Sequence, residues 1–258
     1  MKGIDQLKTL IAIALGTLLL TAAPARAQDP VIPLSPNDQQ LISTQLGPGV
    51  VGQALPSKQI ADTTTYFPLK AKAMTYHVTS GAHAGNTQAL GVAKTRRPSG
   101  KSAWRFLISP SLSGFIHQNA EGDLVMPAVV DSDEGVVVIT TPANPFVLNG
   151  MKPGESRSFT QQVAVNHLDD PTDEEYSGKL QGTYRYLGTY RVTVPAGAYD
   201  AVLFRVKSAG KVGPAHTKDT AYYFFAPNVG AIAMIMQEDV VAFWLYHVDS
   251  TSGKVLMQ

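Results

Sequence analysis

The stretch from Gly182 to Asp249 constrains the fold more than any other part of this chain. It holds five apolar runs, at residues 182–194, 199–208, 218–226, 231–237 and 240–248. They are separated by Pro195-Ala196-Gly197-Ala198, a Gly213-Pro214 turn, Pro227-Asn228-Val229-Gly230 and Glu238-Asp239. Runs of Val, Ile, Tyr, Phe and Trp bounded by Gly, Pro, Asn and Asp at this spacing are consecutive antiparallel strands joined by tight turns. The stretch predicts a β-meander.

Side chains alternate across a strand, so each run can be divided by parity. In the first, Tyr184, Tyr186, Tyr190, Val192 and Val194 share one face, and Arg185, Thr189, Arg191 and Thr193 the other. In the third and fifth runs both faces are apolar: Tyr222 and Phe224 oppose Tyr223 and Phe225, while Trp244 and Tyr246 oppose Phe243. Strands apolar on both sides need cover from a second sheet, from a helix, or from an apolar ligand held in the concavity of a curved sheet. Tyr222, Tyr223, Phe224, Phe225, Phe243, Trp244 and Tyr246 are therefore the candidate surface for an apolar ligand or a partner, and they serve equally well as core.

Upstream, Ser35-Pro36-Asn37-Asp38 supplies an N-cap, a proline at the first helical position and an acid three residues on, and Gly47-Pro48 supplies the stop. A short helix over 36–46 follows, its stripe of Leu41, Ile42 and Leu46 suited to packing on a sheet edge. A second helical stretch is expected near 57–61. Strand patterns then run over 73–79, 88–94, 102–109, 114–119, 123–130, 136–140 and 156–165, separated by Gly and Pro. Residues 169–175 form an acidic loop. No segment repeats at a fixed period, which argues against a propeller or solenoid. The expected fold is mainly β: a large curved antiparallel sheet or a sandwich, with one or two short N-terminal helices. It divides as a leader over 1–27, an N-terminal extension over 28–62 and a single antiparallel β domain over 63–258.

Lys2 and Lys8, the apolar run Leu10 to Leu20, and Ala25-Arg26-Ala27 form a secretory signal pattern. The apolar run is short for a membrane span, and none of adequate length follows. A soluble periplasmic protein beginning near Gln28 is expected. The chain has no Cys, so it carries neither a lipid-acylation site nor a disulfide framework. With 21 basic and 20 acidic residues and no basic run, nothing points to nucleic acid or an anionic membrane surface.

Motifs that would carry chemistry are missing. The six histidines form no metal-ligating pair, and the acidic loop beside His167 lacks the alternating spacing of a calcium loop. Ser111-Leu112-Ser113-Gly114 lacks the leading glycine of a nucleophile elbow, and there is no glycine-rich phosphate cradle. No catalytic residue, metal site or cofactor is expected.

Residues 65–78, together with the pattern at 188–235, resemble the DUF3108-type exported bacterial proteins, periplasmic β-sheet domains without an assigned activity. That pattern is a strand ending in Val-Pro-Ala-Gly, Tyr199-Asp200, a strand, and a paired-aromatic strand ending in Ala-Pro-Asn-Val-Gly. A looser architectural similarity is to periplasmic lipoprotein carriers, in which a curved sheet and helices enclose an apolar cavity. The resemblance implies no activity that can be carried over; the expectation drawn from the chain is a non-enzymatic envelope protein that binds an apolar small molecule, a lipid or an envelope protein. An envelope-directed hydrolase is the alternative.

Overall fold

The computed structural model describes residues 28–96, 100, 102–242 and 246–258. The leader over 1–27 lies outside them. The N-terminal part holds helix α1 (Pro36–Leu46), strand β1 (Val51–Leu55) and the single turn α2 (Thr63–Tyr66). Strands β2 (Lys72–Ser80), β3 (Thr87–Arg96), β4 (Ser102–Leu107), β5 (Leu112–Gln118), β6 (Leu124–Asp131), β7 (Val136–Val147) and β8 (Ser156–His167) follow. The chain ends with β9 (Glu174–Val194), β10 (Gly197–Val212), β11 (Ala215–Ala226), β12 (Gly230–Ala242) and β13 (Tyr246–Leu256). The protein is mainly β.

From β2 to β13 every strand pairs antiparallel with the next, and β13 pairs back onto β2 through Lys254↔Val78, Val255↔His77 and Leu256↔Tyr76. The meander thus extends over the whole domain and closes into a 12-strand barrel. An open curved sheet or a sandwich is corrected accordingly. Closure removes both edges, each a row of unpaired amides, and the pairing that achieves it joins strands from opposite ends of the domain. β1 lies outside the ring. It pairs with β9 at Val51↔Val192 and Ala54↔Tyr190, beyond the point where β8 stops at Ser156↔Arg185.

The aromatic side chains identify the lumen. Phe146 of β7 and Phe225 of β11 lie on well-separated strands yet meet with ring centroids 5.3 Å apart, and Phe67 touches Phe106 at 5.2 Å and Phe146 at 4.9 Å. These edge-on contacts cross the interior, and all four rings are fully buried. Residues 60–67 close this end. The Ile60 amide donates to Met151, the Gly150 amide donates to Ile60, Thr63 Oγ1 donates to the Gly122 carbonyl, and the Asn228 amide donates to Thr65. The hairpin turns of β5–β6, β7–β8 and β11–β12 are thereby stitched to one strap.

Helix α1 forms over the residues expected, with Ser35 as N-cap and Pro36 in the first turn. A closed barrel offers no sheet edge, so the helix lies instead on the outer wall over β12, β13 and β2. Ile42 and Leu46 are buried there. Asp38 accepts hydrogen bonds from Arg205 Nη1 at 2.6 Å and Tyr222 Oη at 2.7 Å, pinning the first turn to β10 and β11. The helical turn expected at 57–61 instead forms at 63–66, where Asp62 caps it.

Two strand readings are corrected. Glu238-Asp239 is not a turn: β12 runs through it to Ala242, and β13 begins at Tyr246, so no strand spans 240–248. The acids are tolerated because β12 is wet at this end, with Asp239 turned outward to His247 at 3.0 Å. The five residues assigned to one face of β9 are also divided. Leu203 pairs with Gly188 but Phe204 with Tyr186, so Leu187 is an extra residue. This bulge reverses the alternation. Tyr184 and Tyr186 share the lumen with Phe204, while Tyr190, Val192 and Val194 turn to the outer wall with Ala201, Tyr199 and Gly197.

Among the described residues no helix is long and apolar enough to cross a membrane. A membrane-spanning barrel needs an apolar band facing outward, and on three adjoining strands the outward face is charged. Outward positions of β9, β10 and β11 carry Lys179, Arg185, Lys207, Lys211 and Lys218, all exposed.

Candidate functional site

With one end filled by aromatic rings and the 60–67 strap, the other end of the lumen, where the 81–86, 108–111 and 132–135 turns gather, stays open. Two adjoining cavities occupy it, of about 800 Å³ and about 300 Å³. They share Ile108, Leu112, Met236 and Glu238, so together they form one space reaching walls on nearly every strand. Each part has the size of a small-molecule site, on the order of 300–1,000 Å³. The wall of the smaller is mainly apolar for a reason of register, whereas the larger is lined more by polar residues, Thr87, Ser109, Ser111, Ser250 and Ser252 among them. Val206, Ala221 and Met236 pair across β10, β11 and β12, and cross-strand partners point to the same side.

Buried polar groups stand in both parts. Lys254 is 7% exposed and stands on the lumen face beside Met234 and Val78. Its Nζ donates to the Ile108 carbonyl at 2.6 Å, which carries the side chain past β2 and β3 to the segment after β4. Burial lowers its pKa to about 8. Gln88 lines the same space, and its Oε1 is buried without a hydrogen-bond partner. Nearer the mouth, Asp219 and Glu238 are directly paired across β11 and β12. Burial, followed by the charge of Glu238, raises the Asp219 carboxyl to about 6 despite its hydrogen bonds with Thr217 and Ser208. On the far wall the Gln161 amide donates to the Pro142 carbonyl and is satisfied.

The aromatic residues singled out by pattern go to three places. Tyr223 and Phe225 face the lumen, Tyr223 at the cavity wall and Phe225 in the closed end. Tyr222 and Phe224 lie on the outer wall, Tyr222 bonded to Asp38 of α1 and both buried. Phe243 and Trp244 lie outside the described residues, and Tyr246 opens β13. The pattern therefore leads to the cavity through Tyr223 alone. Lys254, Gln88, Asp219 and Glu238 were passed over because a single polar residue in a strand of unknown register points in or out with equal ease.

In the acidic loop over 169–175, Asp170 accepts from Thr172, Asp173 lies 3.9 Å from His167 Nε2, and Glu174 begins β9.

No protein-family model matches the chain, and no curated protein matches it. Three solved structures are similar in part. A Bacteroides fragilis protein described as exported and of YmcC-like fold matches with a TM-score of 0.37 and 12% identity, covering 78% of this chain and 98% of that one. A Parabacteroides distasonis protein described as a lipoprotein matches at 0.34 and 15%, covering 76% and 99%. The hypothetical lipoprotein YmcC of Escherichia coli matches at 0.35 and 10%, covering 78% and 89%.

Proposed function

We propose that this is a non-catalytic binding protein of the bacterial cell envelope, exported by its leader, that takes an apolar small molecule or a lipid chain into the open end of its barrel. The observation that carries this reading is the asymmetry of the lumen. A barrel stabilised only by its core gains from filling its whole interior, since close packing maximises dispersion contacts. Here large rings fill one end while Ala221, Val206, Met236 and Leu112 leave an apolar space at the other.

The test uses a neutral fluorescent probe, N-phenyl-1-naphthylamine, added to the mature protein. Saturable binding at micromolar concentration is expected, about −8 kcal/mol. Ala221→Trp projects an indole from the middle of the wall and should weaken binding at least tenfold without lowering the melting temperature. Absence of binding in the parent protein, or equal binding by both, rejects the reading.

The hydrolase alternative has one observation in its favour. Asp219, its carboxyl raised to about 6, stands beside Glu238 in the fashion of a general acid and its partner. It requires turnover of nitrophenyl esters or glycosides that Asp219→Asn abolishes.

A further inference from the structure

The lumen-binding reading leaves the chemical class of ligand open, and Lys254 narrows it. Polar residues on a lumen wall normally find a partner, and a buried ammonium normally finds a carboxylate. Lys254 is 7% exposed, yet none of the ion pairs among the described residues includes it. Its Nζ makes one hydrogen bond, to the Ile108 carbonyl. An ammonium carries three N–H donors. The unused ones stand in the same cavity as Gln88 Oε1, an acceptor without a partner among the described residues.

The placement of the other charges makes this ammonium distinct. The ionisable side chains lining that cavity are Lys254, His83, Asp131, Asp133 and Glu238. Asp131 and Asp133 belong to the β6–β7 turn and its approach, His83 to the β2–β3 turn, and Glu238 lies opposite Ser250, two residue pairs nearer the mouth than the Met236–Ser252 level. Lys254 pairs with Met234 and Val78, and its Nζ reaches the Ile108 carbonyl at the 108–111 turn. The ammonium is thus a buried cation at the open end, on a different strand from each of these carboxylates and beside the apolar wall of Ile108, Leu112 and Met236, an arrangement that binds a negative head while its chain enters the lumen.

We infer that the lumen takes a single-chain anionic amphiphile, its carboxylate or phosphate held by Lys254 and its chain lying against Ile108, Leu112 and Met236. The inference rests on the binding role proposed above. A carboxylate accepts the free ammonium hydrogens as charge-assisted hydrogen bonds, and the protonated oxygen of a phosphate monoanion donates to Gln88 Oε1 as well.

Palmitate, palmitoyl lysophosphatidate and hexadecanol are titrated against bound N-phenyl-1-naphthylamine at pH 7, each below the concentration at which it self-associates. Both anions should displace the probe at least tenfold more effectively than hexadecanol, and the tighter of the two identifies the head group. Lys254→Met should erase that preference while hexadecanol displacement stays unchanged, and Lys254→Arg should restore it. The preference in the parent protein needs no variant, so a Lys254→Met chain that fails to fold leaves a decisive measurement. Equal displacement by anions and alcohol in the parent protein, or a preference that survives in Lys254→Met, overturns the inference while leaving a lumen that binds apolar chains. Failure of all three to displace the probe overturns it too, and failure of the probe itself to bind rejects the lumen reading on which it stands.

Discussion

Single residues at the open end are placed where they cost stability. Asp219 makes the case with a definite sign. Its carboxyl titrates near 6 in the folded protein, above the ordinary 3.8, because burial and then the neighbouring Glu238 disfavour its charge. The folded state therefore holds a proton that the unfolded chain has already released between those values, and stability falls as pH rises through that window. Above pH 6 the cost is present in full. Asp219→Asn removes it and keeps an acceptor for Thr217, so the variant should gain about 1–2 kcal/mol at pH 7.5 and nothing at pH 4. Thermal melts at the two pH values check this; an equal gain at both would mean that charge is not the cause. Asp38 is the opposite case. Burial alone would raise its pKa, but hydrogen bonds from Ser35, Tyr222 and Arg205 outweigh burial and hold it below the ordinary value, so it stabilises the fold above pH 4. The two carboxylates differ only in what their surroundings offer: Ser35 and Thr217 are near them in sequence, but Tyr222 and Arg205 at the one and Glu238 at the other are brought in by the fold.

At the scale of elements, local chemistry and packing make separable contributions. The ends of α1 were legible because capping is local: Ser35, Pro36 and Gly47 act within one turn. Where the helix docks was not legible. Its last turn lies so close on β13 that a side chain at Gly253 would run into the Gln45 carbonyl and the Thr79 and Ser80 hydroxyls. Gly253→Val should lift the helix and expose Ile42 and Leu46, costing about 2–4 kcal/mol. Hydrogen exchange should show lost protection over residues 39–46 with the barrel strands little changed; unchanged exchange would refute the docking. The turns at Gly197 and Gly230 were legible for the same local reason as the caps, and both glycines have positive φ, at 137° and 101°. The bulge at Leu187 leaves one local mark, Gly188 with a φ of 134°, but a lone glycine does not fix which residue is extra; only the β10 partner defines it.

For the molecule as a whole, the strap over residues 60–67 and the rings beneath it seal one end of the barrel, and the binding role proposed for the other end depends on that seal. Phe67 is the keystone, meeting Phe106, Phe146 and Phe225 in edge-on contacts. Phe67→Ala should lower stability by about 3–5 kcal/mol, since rings drawn from opposite walls cannot collapse to refill the space. Chemical denaturation measures the loss, and a value under 1 kcal/mol would mean that the rings are not the closing layer. The sequence by itself determined the antiparallel meander, most of its strands, the capped helix and the glycine turns, because alternation, capping and turn chemistry all act over a few residues. Only the tertiary structure decided that β13 returns to β2, that a bulge divides β9 between two faces, and that Lys254 and Gln88 share a cavity. Those outcomes depend on pairings between strands far apart in the chain, and a register shift of one residue would have turned each of these side chains the other way.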